Sequence, residues 1–316
     1  MAYLLLTVGF TLLIIGANLF VDGSSKIAAI LRVPPILIGL TIVAFGTSSP
    51  EATVSIIAAI EDNADVALGN VIGSNIFNIT LVVGITALLN PLKVESETLR
   101  KEIPFTFLAS IALLILMSDI TLQTLNNNYI NRSDGFIFLL FFSVFIYYIF
   151  EVARNSREKI TEEKIPKSSL GKNVLITLIG LAAIIFGGDL VVKNSTNIAF
   201  TLGMSETLVG LTIVGVGTSL PELVTSITAA IKKQSELALG NIVGSNIFNI
   251  LFILGLSSVI TPLPVNSKVF TDVILMIVLT VLLFIFSRTK YKVAKSEGIT
   301  LVLAYILYTI YIVLRN

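Results

Sequence analysis

The chain has 316 residues, 55% of them apolar and only 13% charged, with a net charge of +1 and a mean hydropathy of +0.94. Soluble domains carry about 25% charged residues, so an ordinary globular enzyme is excluded and an integral membrane protein is indicated. With no Cys and no His, the chain has no thiolate or Ser-His-Asp nucleophile, no His or Cys ligand for zinc or haem and no disulfide, and its near-neutral charge offers nothing to nucleic acid.

In chain order, apolar runs predict ten helical spans at about 3–21, 35–60, 66–89, 103–118, 135–152, 173–192, 206–231, 237–260, 270–287 and 298–314. The fold class is an all-α membrane bundle; the alternation of a membrane β-barrel is absent. The longest polar stretch, 154–172, reads as a linker between two halves, 1–153 and 173–316. With ten spans, 4 Lys and Arg fall on the side of the termini and 17 on the side of the linker. The positive-inside rule then predicts a cytoplasmic linker and extracellular termini in the plasma membrane.

A search for self-similarity finds that residue n matches residue n+171, without a gap, from about 9 to 94. GLTIVAFGTSSPE at 39–51 returns as GLTIVGVGTSLPE at 210–222, and LGNVIGSNIFNI at 68–79 returns as LGNIVGSNIFNI at 239–250. From 39 to 84, 27 of 46 positions are identical. Because five spans is an odd number, the second repeat is predicted to sit inverted relative to the first, an architecture of many secondary transporters.

Glu51 and Glu222 lie within the second and seventh spans, near the bilayer centre. A carboxylate there costs several kcal/mol unless it is compensated, and a cation is the natural compensation. Pro50 and Pro221 precede them, each lacking an N–H and clashing with the carbonyl four residues back, at Gly46 or Gly217. The helix is expected to open at both places, offering carbonyls together with the hydroxyls of Thr47, Ser48, Thr218 and Ser219 as hard oxygen ligands. A plain kink explains one such sequence; two symmetric copies favour a site.

The third and eighth spans carry Asn70, Ser74, Asn75 and Asn78, and Asn241, Ser245, Asn246 and Asn249. Ser74 and Asn78 share a helix face, as do Ser245 and Asn249, and these four are ligand candidates. Asn75 and Asn246 read as structural, and Gly69, Gly73, Gly240 and Gly244 as helix-packing residues. Asp189 is assigned to the interface, the acidic loop of Glu61, Asp62 and Asp65 to solvent, and the aromatic stretch 136–150 to lipid.

These paired segments resemble the two alpha-repeats of the sodium/calcium exchangers, within the calcium/cation antiporter superfamily. The resemblance covers both halves and implies ten helices, alternating access and exchange of Ca²⁺ for Na⁺, with no enzymatic activity and no resident cofactor. It places acidic ligands at Glu51 and Glu222 and hydroxyl or carbonyl ligands at Thr47, Ser48, Thr218 and Ser219. Ser74, Asn78, Ser245 and Asn249 complete the set, and the carbonyls of Ala44 and Gly215 match positions beside flanking sodium ions. Asn249 stands where potassium-dependent members have Asp, which argues against potassium dependence. The linker of about 20 residues has no room for a regulatory domain. The lipid bilayer and the two ions are the partners implied; oligomeric state is not encoded in any motif. A proton-coupled or potassium-dependent exchanger, a cation channel and an intramembrane hydrolase are the alternatives, and the hydrolase lacks a paired aspartate motif.

Overall fold

The computed structural model describes residues 2–124, 126–156, 169–203 and 215–315. Its main helices are α1 (Ala2–Leu31), α2 (Pro35–Thr47), α3 (Ser49–Ile60), α4 (Ala64–Leu89), α5 (Ile103–Leu116) and α6 (Arg132–Ser156). The second half contributes α7 (Leu170–Thr201), α8 (Leu220–Ile231), α9 (Ser235–Ile260), α10 (Ser267–Arg288) and α11 (Lys295–Arg315). Among the described residues seven helices are long and apolar enough to cross a bilayer, and α2 with α3 forms an eighth, bent span. Two of the ten expected spans fall short of that test. The fourth is α5, 14 residues long and continued toward the linker side by a π-helical turn, Thr98–Glu102, that carries Arg100 and Lys101. The first half of the seventh lies largely outside the described residues, as does most of the linker.

Helices α1 and α7 run about ten residues past their expected ends. The polar residues there contain no Pro and do not break the helix. Termination comes instead at Arg32, with φ of 56°, ahead of Pro34, and at Gly203, with φ of 85°. These two residues are 171 positions apart, so the same left-handed stop closes both helices. Between those ends α1 and α7 touch backbone to backbone: a Cβ on Gly180 would lie 2.5 Å from the nitrogen of Phe20 and 2.8 Å from the carbonyl of Gly16. Only glycine permits that approach.

The centre of the bundle is α4 and α9, with 78% and 83% of their apolar windows buried, against 17% in α6 and α11. In α6, Phe136, Phe141, Tyr147 and Phe150 point outward while Phe138 and Phe145 are buried, so the aromatic stretch has one exposed face and one packed against protein. The halves are also tied by two short antiparallel pairings at opposite ends of the bundle. Strand β1 (Leu92–Lys93) pairs with β4 (Lys292–Val293), and β2 (Tyr129–Ile130) pairs with β3 (Leu263–Pro264). Leu92 faces Val293 and Leu263 faces Ile130, so one inter-half pairing is made twice with the roles of the halves exchanged.

Candidate cation-binding site

Both expected helix breaks are present. At Ser48 the backbone leaves the helix, with φ −82° and ψ 9°, and at Ser219 the angles are −91° and 7°. The axes of α2 and α3 bend by 50° there. Pro50 and Pro221 occupy the second position of the resumed helices, where a missing N–H costs nothing. Glu51 and Glu222 therefore stand in the first turn of α3 and α8, where unpaired N–H groups and the helix dipole favour negative charge. Both are fully buried.

The hydroxyls at the breaks reach across to the other copy. Ser48 Oγ donates to Glu222 Oε1 at 2.7 Å, and Ser219 Oγ donates to Glu51 Oε1 at 2.9 Å. Each carboxylate takes a further, longer bond from the hydroxyl of its own half: Ser74 to Glu51 at 3.4 Å and Ser245 to Glu222 at 3.5 Å. Thr47 Oγ1 donates to Asn241 Oδ1 at 3.0 Å, and Thr218 Oγ1 donates to Asn70 Oδ1 at 3.4 Å. Every one of these contacts recurs with both partners shifted by 171.

Four residues not assigned as ligands from sequence hold this arrangement. Asn70 donates to the carbonyl of Glu51 and to Ser55 Oγ, at 3.2 and 2.9 Å, and Asn241 does the same to Glu222 and Ser226, at 3.4 and 2.9 Å. Asn75 Oδ1 accepts from Asn249 Nδ2 at 3.0 Å, and Asn246 Oδ1 accepts from Asn78 Nδ2 at 3.2 Å. Their recurrence in both repeats was the available signal; their cross-repeat pairing was not. Asn78 and Asn249 also fall inside π-helical segments, Asn78–Val82 and Phe248–Leu254, a widening that helical periodicity does not anticipate and that often marks functional positions.

With the amide nitrogens of Asn78 and Asn249 occupied, their Oδ1 atoms are left over. Glu51 Oε2, Glu222 Oε2, Asn78 Oδ1 and Asn249 Oδ1 are all buried without a hydrogen-bond partner among the described residues. A buried unsatisfied polar atom costs about 1–3 kcal/mol, and more when charged. Four acceptors and no donor call for a cation, and carboxylate, amide and hydroxyl oxygens suit hard ions such as Ca²⁺ and Na⁺. Glu51 and Glu222 are the carboxylates that meet here, and no group of three acidic, His or Cys residues forms among the described residues.

Of the remaining expected positions, Thr47 is buried and Thr218 half-buried. The Ala44 carbonyl is not freed by the break: it accepts from the N–H of Ser48 at 2.9 Å and from Thr47 Oγ1 at 3.4 Å. Gly215 opens the short helical turn Gly215–Gly217, directly after residues outside the described set. Gly240 packs as expected, since a Cβ there would lie 2.6 Å from the carbonyl of Ile36, and Gly244 meets Leu40. Gly69 and Gly73 meet nothing within 4 Å among the described residues. The residue that would pair with Gly69 by repeat symmetry, Gly210, lies outside the described residues. Asp189 sits on the exposed face of α7, paired with Lys193.

Comparison with known proteins places this geometry. The sequence pattern of the family described as sodium/calcium exchanger protein matches residues 1–151 and 172–314. Sodium/calcium exchanger MaX1 of Methanosarcina acetivorans is 33% identical, covering 98% of this chain and 97% of the relative. Inner membrane protein YrbG of Escherichia coli K12 is 38% identical, covering 83% and 81%. The structure of the sodium-calcium exchanger NCX_Mj superimposes with a TM-score of 0.84 at 30% identity over 97% of both chains. A match running through both halves, and through the two Pro-Glu breaks that organise the buried oxygens, makes this chain a member of the sodium/calcium exchanger family of membrane antiporters.

Proposed function

We propose that the protein exchanges Ca²⁺ for Na⁺ by alternating access at the site between α2–α3, α4, α8 and α9. The observation that carries this reading is the set of four unpartnered buried oxygens, contributed equally by the two halves and backed by hydroxyls at each helix break. Glu51 and Glu222 match the charge of one Ca²⁺. Ser48, Ser74, Ser219 and Ser245, with Thr47, Thr218, Asn78, Asn249 and the backbone at Gly215, supply neutral oxygens that sodium ions share. Occupancy is then mutually exclusive, which is the requirement for exchange.

The finer architecture belongs to the same reading: ten spans, with residues 1–153 and 173–316 as inverted five-helix repeats joined by a cytoplasmic linker at 154–172, and both termini outside the plasma membrane. The recurrence at an offset of 171 of the cross-repeat hydrogen bonds made by Thr47 and Thr218, Ser48 and Ser219, and Asn78 and Asn249, and the exchanged pairings of β1 with β4 and β3 with β2, support the inversion. The decisive experiment is ⁴⁵Ca²⁺ uptake into vesicles containing the purified protein, with sodium, potassium and proton gradients imposed separately. An outward-directed calcium flux or uptake driven by the sodium gradient alone is expected. Uptake driven by protons and indifferent to sodium overturns the sodium assignment, and non-saturating flux without a counter-ion would instead identify a channel.

A further inference from the structure

Because the halves share one offset, each contact on the linker side has a counterpart on the terminus side, and the two can be compared residue by residue. On the linker side, Asp22 of α1 pairs with Lys232, just past the end of α8, at 2.7 Å. Lys232 also donates to the carbonyl of Asn18 at 3.1 Å, and Ser25 Oγ donates to Gln234 Oε1. The counterparts of Asp22 and Lys232 are Lys193 of α7 and Glu61, just past the end of α3. The corners are built alike: Asp62 and Lys233 both take positive φ, 59° and 60°.

Yet the terminus-side pair is not made. Lys193 is bound to Asp189 on its own helix at 2.8 Å, and among the described residues neither the exposed side chain of Glu61 nor Thr196 Oγ1, counterpart of the Ser25 hydroxyl, has a partner. The burial of the site-flanking residues points the same way. Asn241 and Thr47 are buried on the linker side, whereas Asn70 and Thr218 are partly exposed. Among the described residues the linker side is the more closed of the two.

The charges supply the reason to connect these facts. Between the copies, position 22 changes from Asp to Lys at 193, and position 61 changes from Glu to Lys at 232. Each change alone would set like charges facing each other; together they preserve attraction with the signs reversed. We propose that Glu61 and Lys193 form a second latch that closes in the opposite-facing state while Asp22 and Lys232 separate. In an inverted repeat the opposite state arises when the halves exchange conformations, so a contact between residue a and residue b+171 gives way to one between a+171 and b. Asp189 holds Lys193 while its latch is open; its counterpart Asn18 is neutral and bonds within its own helix at 2.9 Å. As partly exposed pairs, the latches bias the equilibrium by a few-fold and do not lock it.

This inference rests on the alternating-access reading, and its test separates the two. The chain has no native cysteine, so introduced pairs are the only thiols. The full-length double variants Asp22→Cys with Lys232→Cys, and Glu61→Cys with Lys193→Cys, are placed in vesicles and treated with a short bifunctional methanethiosulfonate. Both pairs are expected to cross-link, each cross-link stopping ion flux until reductant is added, and sodium and calcium are expected to move the two yields in opposite directions. Adding Asp22→Asn to the second pair should raise its yield by about two- to threefold. A Glu61/Lys193 pair that never cross-links while the first does, yields that rise and fall together, or a yield unmoved by Asp22→Asn would overturn the latch. Lack of ion exchange by the unmodified chain would overturn the proposed function instead, while cross-linking yields would still decide the latch.

Discussion

Ser48 and Glu222 are 174 positions apart in sequence, and the hydroxyl of one lies 2.7 Å from the carboxylate of the other. The serine sits at the break of one bent helix and the glutamate in the first turn of the other. Each break thus serves the opposite repeat's charge, which ties the geometry of the two halves together: movement of one break alters the hydrogen bonding of the other carboxylate. A hydrogen bond to a charged group contributes about 1.5–3 kcal/mol.

Removing either site charge is expected to end calcium exchange. In Glu51→Gln or Glu222→Gln a divalent ion would be buried against one negative charge, a deficit of about 3 kcal/mol or more, equivalent to at least about 100-fold in binding. Calcium uptake into vesicles should fall to background while the protein still elutes as a single species from a sizing column. Retained uptake in Glu51→Gln would remove the charge-matching account.

The amide clamps give a milder prediction. In Asn75→Leu the Asn249 amide nitrogen loses its acceptor and is free to turn, at a cost of about 1–3 kcal/mol, so its oxygen no longer faces a fixed direction. Apparent calcium affinity is expected to drop roughly tenfold, with Asn246→Leu giving a matching loss through Asn78. Half-saturation in flux assays measures this; unchanged affinity in both variants would mean that the clamps do not orient ligands.

Asn249→Asp places a third carboxylate at the site. Buried beside two others, it must bind an additional cation or take up a proton. Exchange by this variant should become dependent on pH or on potassium where the parent is not, and a response identical to the parent's on both axes would place Asn249 away from the ions.

Charge counting predicts that transport is electrogenic. The site holds two negative charges, so one Ca²⁺ leaves it neutral and three Na⁺ leave it at +1; moving that charge is worth about 2.3 kcal/mol per 100 mV. Sodium-driven calcium flux should therefore change with the sign of a potassium diffusion potential set by valinomycin. Voltage-independent flux would indicate two monovalent charges per calcium.

Stability and transport should separate at Asp272 and Arg315, which form a bidentate pair joining α10 and α11 away from the site, at 3.0 and 2.9 Å. Removing one partner of a largely desolvated pair costs about 3 kcal/mol. Asp272→Asn is expected to lower the thermal midpoint of the extracted protein while leaving calcium half-saturation unchanged.

Sequence alone determined the class, the duplication and the buried carboxylates, because each is written in local or periodic chemistry. Apolar runs fix what lies in the bilayer, the offset of 171 fixes the repeats, and Pro50 and Pro221 cannot sit inside an unbroken helix. Other features depend on distance. The reach of α1 and α7 past their apolar segments was hidden because polar residues leave helix continuity to the next breaker, and the π-turns at Asn78 and Asn249 leave no periodic trace. Only the tertiary structure decided that Ser48 serves Glu222 and not Glu51, that Asn75 holds Asn249, and that Asp22 meets Lys232 while Glu61 and Lys193 stay apart. The repeats are nearly identical in these motifs, so sequence treats the two sides as equivalent. Packing makes them different, since one chain in one conformation can close its core against only one face at a time.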